Sequence, residues 1–212
     1  MKKLRLMFTI SMNNVSEEVF TTKTDTQNMY EVEIKVELTD KERQELIDNC
    51  KERNFIFKKV TPQNDYYIEA KESSYGGFDL KRYRNEVGEF IYTEKVWELI
   101  DGQPYRRETE YVASKEEFES KITQYPHALK IVKDREWFSG LYKGIPISLT
   151  IDTVKFDHSQ AMRYFTEAEI DIEEKKDVPQ TKEFIKNFLK EILNKQEIIE
   201  APGMFTMAFK KL

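Results

Sequence analysis

The stretch YEVEIKVEL, residues 30–38, alternates apolar and charged residues with a period of two. Neighbouring side chains of a strand point to opposite faces. Val32, Ile34, Val36 and Leu38 therefore share one face, and Glu31, Glu33, Lys35 and Glu37 share the other. A solvated outer face would explain one strand of this kind. The same parity recurs along the chain, and that recurrence decides the fold.

Working outward, DYYIEA, FDLKRYRN, EFIYTEKVWEL, RRETEYVA, LKIVKDREWF, ISLTIDTVKF and YFTEAEIDI all read as strands. Gly76-Gly77, Gly88, Asp101-Gly102 and Gly144 punctuate them as turns. Short connections make the strands mostly antiparallel, and closure into a barrel would remove exposed edges. Three helices interrupt the period. Thr39 and Glu42 form a capping-box pattern, with Leu46, Ile47 and Cys50 following on one face. SKEE at 114–117 opens a second helix, and QTKEFIKNFLKEILNK after Pro179 makes a third, amphipathic one. The expected class is α+β, an eight-stranded antiparallel β-barrel with helices packed outside. Residues 1–29 read as an N-terminal extension, an extra strand or a flexible arm. Residues 30–212 read as a single domain including the C-terminal helix and tail.

Composition narrows the function classes. The 212 residues carry a net charge of −5, and charged residues make up 34% of them. An acidic chain is a poor coat for double-stranded nucleic acid. No stretch approaches the ~20 apolar residues of a membrane-spanning helix. Cys50 is the only cysteine, which excludes an intrachain disulfide and a thiolate zinc cluster and suggests a cytoplasmic home. His127 and His158, the only histidines, sit in no nucleophile motif and read as structural or surface residues.

With the charged faces turned inward, the barrel interior would hold a basic group, Lys35, Arg82, Arg84, Lys95, Arg106, Lys133 and Arg135. It would also hold an acidic group, Glu31, Glu33, Glu108, Glu110, Asp152, Glu167 and Glu169. Burying such charges unpaired costs several kcal/mol per ion. Arg and Lys suit phosphate oxygens, and carboxylates without His or Cys suit Mg²⁺ or Mn²⁺. A polyphosphate bridged by a divalent metal satisfies both groups.

The ordered set also resembles a known family. EVEIK resembles the ExExK signature of the CYTH domain, the triphosphate tunnel metalloenzymes. NDYY, RYR, TEK, RRETE, KDR, ISLTID and FTEAEI are similar, in order, to its later strand motifs. The resemblance implies a triphosphate tunnel and a metal-dependent hydrolase acting on inorganic tripolyphosphate, thiamine triphosphate or a nucleoside triphosphate. It implies that Glu31 and Glu33 are metal ligands and that Lys35 contacts phosphate. Arg82, Arg84, Lys95, Arg106, Lys133 and Arg135 would line the phosphate path. Asp152, Glu167 and Glu169 would complete metal coordination, and Glu108 and Glu110 would serve as ligands or as partners to arginine. The catalytic set implied is Glu31, Glu33, Lys35, Asp152, Glu167 and Glu169. The partner implied is a triphosphate-containing small molecule, with a homodimer left open. A class IV adenylyl cyclase is the alternative, followed by a non-catalytic polyphosphate or nucleotide binder. A lipocalin-like barrel for an apolar ligand fits the charge pattern poorly. Asp65 reads equally as a turn or a site residue and is not assigned.

Overall fold

The capping box at Thr39 forms as the sequence predicts. The Glu42 backbone N–H donates to Thr39 Oγ1 at 3.2 Å, and the Thr39 backbone N–H donates to Glu42 Oε2 at 2.7 Å. It starts α1 (Asp40–Glu52) immediately after β1 (Tyr30–Leu38). The computed structural model describes residues 30–211 apart from positions 76, 101 and 160, so the expected N-terminal extension lies outside them. The remaining elements are β2 (Ile56–Glu72), β3 (Phe78–Glu86), β4 (Glu89–Ile100), β5 (Gln103–Ala113), α2 (Lys115–Gln124), β6 (Leu129–Tyr142), β7 (Ile145–Lys155), β8 (Met162–Ile172), α3 (Val178–Ile192) and α4 (Met204–Lys210).

The strands form one sheet in the order β1-β8-β7-β6-β2-β3-β4-β5, with antiparallel pairs throughout. Two-residue turns join β3 to β4 and β6 to β7. Val87-Gly88 and Lys143-Gly144 both take positive φ there, the conformation such tight hairpins require. Every strand read from the sequence is present. β2 is longer than expected, beginning at Ile56 and running past the end of β3, whose pairing with it starts at Gln63. Pro62 stands on that free edge, where a residue without an N–H is tolerated.

The sheet curls into a half-barrel with its charged face inside. The apolar face of β1 packs outward with Leu46 and Cys50 of α1 and with Ile185, Phe188, Leu189 and Ile192 of α3, all in one core. Full burial of each large apolar side chain contributes about 1.5–3 kcal/mol. On the opposite side, Phe118 of α2 covers Tyr83 and the rings of Tyr66, Phe90 and Tyr92. Helices α1 to α3 thus lie outside the sheet, as expected.

The ends of the sheet differ from a ladder-closed barrel. Among the described residues β1 and β5 do not pair, and the C-terminal segment crosses the seam between them. There the Ala201 N–H donates to the Lys35 carbonyl at 2.8 Å, and Glu200 is held by Lys182 at 2.9 Å and Lys186 at 3.0 Å. The segment then enters α4, a helix the sequence periodicity does not reveal. Seven residues without a side-chain N-cap cannot hold a helix alone. Burial supplies what is missing: Met204, Phe205 and Met207 pack with Tyr67, Phe78, Leu80 and Ile131. α4 therefore covers one end of the curl instead of its outer face.

Gly140 on β6 marks a close approach between the outer face and the loop after α1. A Cβ there would come within 2.7 Å of the Phe55 ring, which is itself stacked on Phe188 at 5.5 Å. Gly140→Ala is expected to lower stability by about 1–3 kcal/mol, read as a reduced urea midpoint with an unchanged slope.

Candidate active site

The inner face of the curl encloses a cavity of about 250 Å³. Its lining includes every residue of the expected basic and acidic groups except Asp152. Asp152 lies just behind it, 1% exposed, and grips two of the lining cations. Strand parity accounts for this convergence: alternate residues of β1 to β8 all face the same interior.

Most of these charges are already paired. Arg84 donates to both oxygens of Asp65, at 2.7 and 3.2 Å, and Arg82 lies 3.5 Å from the same carboxylate. Arg82 also donates to Thr93 at 2.7 Å and to Glu110 at 3.3 Å. Arg135 makes a two-point contact with Asp152, 2.7 Å at each oxygen, and reaches Glu167 as well. Lys133 donates to Asp152 at 3.1 Å, Lys35 sits 2.5 Å from Glu167, and Lys95 pairs with Glu108. Glu110 is at the rim, with 44% of its side chain exposed.

The pairing sets the protonation states. Burial opposes ionisation of Asp65, Asp152 and Glu167, but neighbouring Arg and Lys groups outweigh it and hold all three below the usual carboxylate range. Lys133 goes the other way. Burial, then repulsion from Arg135, lowers it to about 8 despite Asp152.

Glu31, Glu33, Glu169 and Arg106 make no ion pair among the described residues. Glu33 and Glu169 occupy directly opposed positions on β1 and β8, where like charges repel. Burial, then repulsion from Glu167, pushes Glu169 up to about 7. The Glu31 side chain still reaches solvent at the cavity edge. Even so, the walls around it and the charges of Glu108, Glu33 and Glu169 raise its pKa. Hard oxygen donors with unrelieved negative charge suit Mg²⁺ or Mn²⁺. Among the described residues, however, no three His, Cys, Asp or Glu side chains already frame a metal. Arg106 stacks over Trp97, with 5.2 Å from its guanidinium carbon to the ring centroid.

Sequence reasoning left out Asp65, which proves to be the anchor of Arg82 and Arg84. Its parity with Tyr67 on β2 is visible in the sequence, but its pairing with Arg84 across β3 is a matter of register. Gly203 to Thr206 also line the cavity, through the unforeseen α4. Neither histidine does; both are exposed, and His158 stacks on Phe156. Asp65→Asn would leave two buried guanidinium groups without their shared counter-ion. The expected result is a loss of about 3–5 kcal/mol in chemical denaturation at neutral pH. Because the Asp65 pKa is depressed, its contribution is present above the unfolded value of about 3.9 and fades as pH falls below it. The difference between wild type and variant should therefore shrink in strong acid.

No protein-family model matches the chain, and no curated protein matches it. Solved structures do. The PH1819 protein of Pyrococcus horikoshii is similar over 86% of this chain and 100% of its own, with 22% identity and a TM-score of 0.62. HpAC1 from Hippeastrum, described as a candidate adenylyl cyclase with a dominant triphosphatase activity, is similar over 86% of this chain and 96% of its own (15% identity, TM-score 0.56). A candidate adenylate cyclase from Bacillus halodurans is similar over 84% of this chain and 97% of its own, with 16% identity and a TM-score of 0.56. With eight antiparallel strands curled around a charged interior, the chain has an α+β half-barrel fold that it shares with these solved structures, two of them described as candidate adenylate cyclases.

Proposed function

We propose that this chain is a divalent-metal-dependent hydrolase of triphosphate-containing substrates. One observation carries the reading: the interior holds cations fixed in place by carboxylates beside a like-charged Glu33–Glu169 pair with no cation of its own. An anionic chain accompanied by a metal ion complements both halves. Glu31, Glu33 and Glu169 would hold Mg²⁺ or Mn²⁺, which supplies neutralisation of phosphate oxygens and a more acidic water.

The chain's own residues do the positioning. Asp65 fixes Arg84 and Arg82, and Asp152 fixes Arg135, so these guanidinium forks meet phosphate oxygens without reorganising. Lys133, lowered to about 8, remains largely protonated at neutral pH and donates to an incoming oxyanion, whose charge raises its pKa again. Lys35, anchored on Glu167, adds a further donor at the β1 wall. Asp152 and Glu167 act in this reading as partners of Arg135, Lys133 and Lys35, and become metal ligands only by exchanging those contacts. No Ser, Cys or His lines the cavity among the described residues, which suits direct attack by water. The dominant triphosphatase activity of HpAC1 supports hydrolysis over cyclisation.

Phosphorus NMR with Mg²⁺ or Mn²⁺ and tripolyphosphate, thiamine triphosphate or ATP tests the proposal. Orthophosphate release is the expected result. Pyrophosphate with cyclic AMP would make the chain a cyclase, and no turnover would leave a binder. Glu33→Gln and Glu169→Gln are expected to reduce turnover to background with the circular dichroism spectrum unchanged, and wild-type rates in both would refute the metal assignment.

A second expectation concerns pH. In the metal-free protein the raised Glu169 pKa means that the native state holds a proton that the unfolded state releases near pH 4.3. Glu169 therefore detracts from stability increasingly as pH rises from about 4.3 to about 7, and a cation reverses the effect. The melting-temperature gain on adding Mn²⁺ should be larger at pH 8 than at pH 5.5. Glu169→Gln should reduce that dependence, and the part that remains comes from Glu31, whose pKa burial and neighbouring charges also raise.

A further inference from the structure

Between Ile56 and Pro62, β2 is paired on one side only. β6 lies along one edge, but the ladder with β3 starts at Gln63, opposite Glu86, where β3 ends and the chain turns at Val87-Gly88. Among the described residues the sheet therefore has a notch, bordered by unpaired backbone donors and acceptors. Ile56, Phe57 and Val60 on that border are 60%, 50% and 53% exposed. Lys58 and Lys59 stand between them, also exposed, so the edge is basic as well as apolar. An exposed apolar edge invites the addition of a further strand.

The chain that precedes β1 reaches the sheet at the same end. Four antiparallel steps, through β8, β7 and β6, lead from β1 to β2, so these two strands run in the same direction. Tyr30 and Ile56 thus both stand at the end opposite α4, which packs on Phe78, Leu80 and Ile131. Within residues 1–29, the stretch VSEEVF at 15–20 complements the notch. Set antiparallel to β2, it places Glu17 opposite Lys59, Glu18 opposite Lys58, Val19 opposite Phe57 and Phe20 opposite Ile56. A strand so directed leaves the notch at the end where β1 starts. Residues 21–29 extend to about 30 Å, against about 19 Å for four strand spacings. The other alternating stretch, KLRLMFTI at 3–10, would bring Lys3 and Arg5 to an edge that is already basic.

We infer that residues 15–20 dock in this notch of their own chain as an additional strand, antiparallel to Ile56–Val60. Backbone pairing holds the strand, and the two Glu–Lys pairs with the apolar pairs beside them fix its register. The added strand extends the wall of the half-barrel at the end away from α4. Lys59, which it covers, already meets Glu86 at 3.4 Å and lies 5.8 Å from the ring centre of Trp137, a residue of the cavity lining. The docking does not depend on the reaction carried out in the cavity.

Hydrogen exchange and cross-linking on the whole chain test this. In the wild type, the amides of residues 16–20 should exchange about tenfold slower than an open chain of the same sequence. Exchange at the open-chain rate would overturn the inference. Glu18→Lys should speed exchange there, Lys58→Glu should do the same, and the two together should restore protection; no recovery in the double variant would also overturn it. Glu18→Cys with Lys58→Cys should oxidise to a disulfide within one chain, since Cys50, the only native cysteine, is buried. Lys3→Cys with Lys58→Cys should cross-link far more slowly. A disulfide-linked dimer as the main product would assign the notch to a second copy, and equal rates in the two pairs would show a segment that is merely tethered. Either result rejects the inference.

Discussion

Everything in this structure depends on keeping a concentrated set of charges inside a curled sheet. Low-dielectric burial penalises each ion by several kcal/mol, and only close partners repay it. Asp65 and Asp152 are the two fixed points of that solution. Each is 1% exposed, and each neutralises two cations from neighbouring strands. The outer face faces the opposite constraint and meets it with ordinary apolar packing under α1, α2 and α3.

Because every member of the basic group except Arg106 is paired with a carboxylate, these side chains are held in position by the protein itself. Part of the acidic side is not so paired: Glu33 faces Glu169 across the β1–β8 ladder, and both lie near Glu31. This asymmetry gives the cavity its chemical direction. In the function proposed above, a bound cation would relieve repulsion between the carboxylates, and a phosphate chain would meet donors already held in orientation.

The C-terminal segment completes the enclosure that the strands leave open. It crosses the seam at Ala201, turns beside Arg106 at Gly203, and lays Met204 and Phe205 on the apolar end of the sheet. Gly203 and Thr206 of this segment line both the inner cavity and the space at the seam, so one short stretch of chain shapes the two together.

The sequence by itself determined the strands, their inward charged faces, the first three helices and the charged residues of the cavity wall other than Asp65. These follow from local rules: a period of two, capping boxes, turn residues and side-chain parity. The curl places each of those residues except Asp152 on one lining, and Asp152 directly behind it. What local rules do not contain is which strand lies beside which. The order β1-β8-β7-β6-β2-β3-β4-β5 put Asp65 opposite Arg84 and Glu33 opposite Glu169, and so decided which charges are paired and which are left for a ligand. α4 was illegible for the same reason. Its seven residues have too little helical stability of their own, and only burial against distant Tyr67, Phe78 and Leu80 makes them a helix.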